Sequence, residues 1–160
     1  MKKQIENVLK EATIITLEDL CFIYQVPELK DAQENLPLEA AAEVKYRSDD
    51  FTGKLLIETR GGLFSAIAIN MLSNDNPSEQ QKKDALGEIA NIICGNIVPS
   101  LGRGGREYKI ESPISLKKDD LLKEKKQGKP LVEITLNFNQ GRADVKFFVD
   151  GYSDTKEIKE

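Results

Sequence analysis

Apolar residues recur at close to helical spacing near the start of the chain, at Ile5, Val8, Leu9, Ala12, Ile15, Leu20 and Ile23. This predicts a helix from about Gln4 to Leu20, although the β-branched run Thr13 to Thr16 lowers helix propensity. Pro27 and Pro37 bracket a polar connection, Glu28 to Asn35, that reads as a loop. The period then changes. Ala40 to Arg47 alternates, with Ala42, Val44 and Tyr46 on one face, and Phe51 to Thr59 forms a second strand after the turn residues Asp49 and Asp50. A hairpin follows from this pair, and Gly53 inside the second strand implies a bulge or a close backbone approach. Gly61-Gly62 break the strand and open a short apolar helix, Leu63 to Leu72. Leu63, Ile67 and Met71 pack on one side of it, with Phe64, Ala68 and Leu72 beside them.

The segment Ser78 to Ser100 is the best-defined helix in the sequence. Ser78 is a good N-cap, Glu79 places negative charge in the first turn, and Pro99 marks the end. Ala85, Leu86, Ile89, Ile92, Ile93 and Ile97 form its apolar stripe. At about 100° per residue, Asp84, Glu88, Asn91 and Gly95 share a different, polar sector. Gly87 lies between that sector and Lys83, so helix packing accounts for it as well as a partner's close approach does, and Asn96 projects toward the apolar side as a structural hydrogen-bonding residue.

Beyond this helix, Leu101 to Arg106 is rich in glycine and arginine but follows a helix C-terminus. Phosphate cradles use the opposite end, so a turn is expected, with Arg103 and Arg106 available to an acidic partner. Glu107 to Leu116 reads as a strand broken by Pro113, hence at a sheet edge or a strand end. Lys117 to Lys129 is a solvated loop or short helix. Pro130 to Asn139 alternates cleanly, Asn139 to Gly141 turns, and Ala143 to Val149 returns as the other arm of a second hairpin. The charged tail after Tyr152 is expected to fray. The order is helix, two strands, two helices and three strands. It predicts a single α+β domain over residues 1–160, with a mainly antiparallel sheet and helices packed on one face. An exposed sheet face or edge makes a homodimer plausible.

Composition narrows the chemistry. The chain has 160 residues, 39% apolar and 31% charged, which fits one folded domain. No run is long enough to span a membrane and no signal-peptide centre is visible, so a cytoplasmic protein with no membrane partner is expected. A net charge of −4 argues against nucleic-acid binding. Cys21 and Cys94 lack metal-type spacing and read as reduced core thiols. Histidine is absent, which removes histidine-based triads, Cys-His dyads and histidine metal sites.

Glu88 and Asn91 are three residues apart on one helix, so their side chains project in similar directions. An amide carries one acceptor and two donors and can aim a water, while a carboxylate can anchor on a partner's lysine or arginine. A plain solvated polar face would show the same pattern. The run D-A-L-G-E-I-A-N-I-I-C-G-N resembles the E-x-x-N motif of the CheC/CheX/FliY chemotaxis phosphatases, with the following G-N. The F-x-G-x-L-x-I strand, the helix with Met71 near its end and the polar gap before the motif match too, so the resemblance spans about Leu38 to Val149. One motif copy is the CheX-like arrangement.

The resemblance implies a CheX-like fold and a phosphatase acting on a phosphorylated CheY-like response regulator. By it, Glu88 binds the regulator's active-site lysine and Asn91 orients the attacking water, with Asp84 and Gly95 in the surrounding partner-binding face. No cofactor of its own is implied, because the Mg²⁺ resides on the regulator. The alternative is a dimeric module that binds a regulator, or serves as a localisation partner, without hydrolysis. The polar segments 28–35 and 117–129 look longer than in a minimal member and could alter partner choice.

Overall fold

The structure is a computed structural model that describes residues 2–48, 51–101, 107–124 and 128–150. The elements in order are α1 (Lys2–Cys21), β1 (Leu38–Ser48), β2 (Thr52–Gly61), α2 (Leu63–Leu72), α3 (Glu79–Ile97), β3 (Tyr108–Ile110), β4 (Ile114–Leu116), α4 (Lys118–Glu124), β5 (Val132–Phe138) and β6 (Gly141–Asp150). Short 3₁₀ turns occupy Pro27–Leu29 and Val98–Leu101. The Asp49-Asp50 turn, the glycine and arginine run 102–106 and the charged tail lie outside the described residues.

All strand pairs are antiparallel, in the order β3-β1-β2-β6-β5, with β4 also pairing β1. Pro113 separates β3 from β4, which divide one edge of β1 between them; proline cannot donate to a ladder and is tolerated at such an edge. The alternation of each strand sorts its residues cleanly. Val44, Leu55, Val145 and Phe138 lie on the face covered by α1, α2 and α3, and all are fully buried.

Gly53 is a close approach and not a bulge. A Cβ there would collide with the Phe148 carbonyl and the Tyr46 hydroxyl. Tyr46 donates to that same carbonyl at 2.7 Å and stacks on Phe147 at 5.3 Å between centroids. The one register irregularity between β1 and β2 falls at Leu38 to Ala40.

Two details of the helices differ from the periodicity. The buried side of α1 contains Thr13, Thr16 and Leu17, whereas Ile15 and Leu20 are exposed. The threonines can be buried because Thr13 Oγ1 donates to the Leu9 carbonyl and Thr16 Oγ1 to the Ala12 carbonyl, each at 2.7 Å. In α2, Leu72 is exposed where the helix ends in the left-handed Ser73, while Met71 packs against the core.

The outer face of the sheet is polar and bonded throughout its middle. Asp144 accepts from Arg60 Nε at 2.9 Å, from Arg142 Nε at 3.0 Å and from Thr135 Oγ1 at 2.7 Å. Glu58 accepts from Lys146 Nζ at 3.1 Å. The polar connection before β1 is a strap tied to this face. Gln33 Nε2 donates to the Phe138 carbonyl at 2.6 Å, Asn137 Nδ2 donates to Gln33 Oε1 at 2.9 Å, and Arg142 Nη1 donates to the Glu34 carbonyl at 3.0 Å. Elsewhere on this side α4 seats Leu121 against Ala41 and Leu56. So the three long helices cover one face, and a strap and a short helix cover part of the other.

Candidate functional site: the outward face of α3

The helix α3 is fixed at its start by a capping box. Ser78 Oγ accepts from the Gln81 amide at 3.1 Å, and Gln81 Oε1 accepts from the Ser78 amide at 2.9 Å. The Ser-x-x-Gln spacing that signals the box was legible in the sequence beside the N-cap. At the other end, Val98–Leu101 continue as a 3₁₀ turn through Pro99.

The inward side of α3 comprises Ala85, Leu86, Ile89, Ala90, Ile93, Cys94 and Ile97, all buried against α1, α2 and β1. Ile92, at the border of that stripe, is half-buried. Burial pushes the Cys94 and Cys21 thiols up to about 12, as expected of inert core cysteines. Asn96 is exposed, contrary to its projected place on the apolar side, although Cys94 and Ile97 of the same turn are buried.

Asp84, Glu88, Asn91 and Gly95 do share the outward face. Asp84 and Glu88 are exposed, and Asn91 and Gly95 are half-buried. Their neighbours on the helix surface bond to one another: Gln80 Nε2 donates to Asp84 Oδ1 at 2.8 Å, and Lys82 pairs with Glu79 at 3.1 Å. Among the described residues, Glu88 and Asn91 have no such partner. Gly95 leaves an opening one turn beyond Asn91, where an added Cβ would meet only Ile110, at 3.8 Å. Gly87 is buried under Pro113, whose Cβ lies 3.1 Å from where a Cβ would sit. Helix packing is therefore the role of Gly87.

Among the described residues, open hollows of about 600 and 410 Å³ lie by Lys2 and Leu131 and on the outer sheet face by Lys45 and Phe148, and neither is lined by a residue of α3. The described residues contain no group of three or more metal-ligating side chains. A rigid helix that offers one carboxylate and one amide to the outside suits docking against another macromolecule and positioning a group within it.

The fold and this face define an α+β domain that presents a motif helix over an antiparallel sheet. The family model for the chemotaxis phosphatase CheX matches residues 42–137, more than half of the chain. The chain belongs to the CheX family. Among solved structures, a chemotaxis protein CheX from Desulfovibrio desulfuricans is 19% identical, with a TM-score of 0.67 over 92% of this chain and 99% of that one. A CheX from Vibrio vulnificus is 16% identical, with a TM-score of 0.63 over 94% and 99%. The CheX of a CheX-CheY-BeF3-Mg complex from Borrelia burgdorferi is 16% identical, with a TM-score of 0.61 over 89% and 96%. At these identities the likeness is one of fold. No curated protein sequence matches the chain. Among the described residues no helix is long and apolar enough to cross a membrane.

Proposed function

We propose that this protein is a phosphatase that removes the phosphoryl group from an aspartyl-phosphorylated response regulator. The observation that carries the proposal is the pair Glu88 and Asn91, adjacent on a capped helix and, among the described residues, without bonded partners, whereas Asp84, Glu79 and Lys82 nearby are bonded. Family membership supplies the substrate class, and the Borrelia relative forms a complex with CheY.

In this proposal Glu88 accepts a hydrogen bond from the regulator's active-site lysine and sets the docking register. The Asn91 amide enters the regulator's site, where its carbonyl oxygen accepts from a water and aims it at phosphorus. Attack by that water breaks the bond between phosphorus and the aspartyl oxygen, releasing inorganic phosphate and the free carboxylate. Charge stabilisation comes from Mg²⁺ and lysine on the regulator, so the chain contributes positioning and exclusion of disordered water. Gly95 gives the regulator's backbone room beside Asn91, and Asp84 borders the docking surface. The active unit is proposed to be a cytoplasmic homodimer formed through the β3 and β4 edge, where Tyr108 and Ile114 are 44% and 48% exposed. Sedimentation measures that stoichiometry.

The test is to incubate phosphorylated regulators from the same genome with the protein and follow phosphate release. Acceleration lost in Asn91→Ala supports the mechanism. An Asn91→Ala variant with full activity overturns it, and binding without acceleration by the unaltered protein makes the chain a regulator-binding module instead.

A further inference from the structure

One contact on this face lies outside both the motif and the core. Gly87 sits one turn before Asn91, about 40° around the helix from it. Helical side chains lean toward the N-terminus, so the Asn91 amide covers the surface of the turn that contains Gly87. Against the same turn lies Pro113, with its Cβ and Cγ 3.1 and 3.5 Å from the position a Gly87 Cβ would take. Pro113 is solvent-exposed and lies directly before Ile114, the first residue of β4, and three residues after Ile110, the last of β3; both strands pair with β1. Its ring has few internal freedoms. The bare backbone at residue 87 lets this ring approach α3 on the flank of Asn91.

We propose that Gly87 and Pro113 are positioning residues: the ring seated on Gly87 walls one side of the Asn91 amide and restricts its rotamers before a partner docks. The glycine costs a helix interior about 1 kcal/mol relative to alanine, a cost this close packing explains. The wall acts before binding, so its loss falls on the chemical step and leaves docking through Glu88 intact. The inference rests on the role proposed for Asn91, but it also makes a claim about the free protein that needs no regulator.

Two measurements test it. In the free protein, ¹⁵N relaxation of the Asn91 side-chain amide is compared between the unaltered chain and Pro113→Ala. Greater amide mobility in Pro113→Ala, with the backbone of α3 unchanged, is expected; equal mobility overturns the inference whatever the chain's activity. In the dephosphorylation assay, Gly87→Ala displaces the ring by a few tenths of an ångström, while alanine strengthens the helix and keeps it folded. A fall in kcat of roughly 10-fold at constant KM is expected for Gly87→Ala and for Pro113→Ala alike, and the double variant should fall no further, because both changes remove the same wall. A Gly87→Ala or Pro113→Ala variant with unchanged kcat, or a double variant whose losses multiply, overturns the wall. Absence of phosphatase activity in the unaltered protein defeats the proposed function and leaves the relaxation result to decide the inference.

Discussion

The outer face of the sheet and the outward face of α3 are both polar, yet they treat their polar groups in opposite ways. On the sheet, Asp144 and Glu58 are almost fully buried carboxylates with short bonds to Arg60, Arg142, Thr135 and Lys146. On α3, Glu88 is exposed and Asn91 half-buried, and neither is bonded by another described residue. Groups already bonded within the chain hold a structure together. Groups held on a rigid helix with their hydrogen-bonding capacity unused are available to another molecule. Charge and exposure alone do not separate the two surfaces; the hydrogen-bond partners do.

Each prediction probes that contrast. Asn91→Ala should lower the rate of regulator dephosphorylation by roughly 10²–10³-fold and leave the Tm unchanged, since no bond to another described residue is lost. A matching fall in Tm would place Asn91 with the structural group. Asp144→Ala should do the reverse. It removes the carboxylate shared by two guanidinium groups, which keep their bonds to the Leu36 and Glu34 carbonyls, and should cost about 3 kcal/mol, a Tm drop of roughly 6–12 °C, with activity per folded molecule retained. Glu88→Ala should raise KM roughly 10-fold with kcat nearly constant, as expected of an exposed docking charge. Ser78→Ala removes one half of the capping box and should cost about 1 kcal/mol, read as a Tm shift of roughly 2–4 °C without effect on kcat/KM.

Much of the fold was legible because its signals are local. The double glycine before Leu63, the cap at Ser78, the alternation through β5 and the break at Pro113 each act within a few residues. The face of α1 was misjudged at Ile15 and Leu20 because Thr13 and Thr16 satisfy their hydroxyls on the preceding turn, a local bond that hydropathy does not register. The strap was taken for a plain loop because its partners, Phe138, Asn137 and Arg142, lie about a hundred residues away. On the candidate site, spacing alone placed Glu88 and Asn91 together. Their lack of partners required the structure, since it depends on what Gln80, Lys82 and the rest of the surface do. The seat of Pro113 on Gly87 joins two segments far apart in sequence, and only the general expectation that Gly87 packs could be drawn beforehand.

The ties of the strap also govern the order in which the molecule can be completed. β6 lies between β2 and β5, so the two hairpins join only after the last strand is made. α1 rests partly on β5, and Gln33 closes on Phe138. A nascent chain on the ribosome therefore emerges with its first helix and its strap waiting for their seats. Until the final hairpin clears the exit tunnel, the apolar side of α1 and the edge of β2 stay open to other chains, and folding is set by these distant closures.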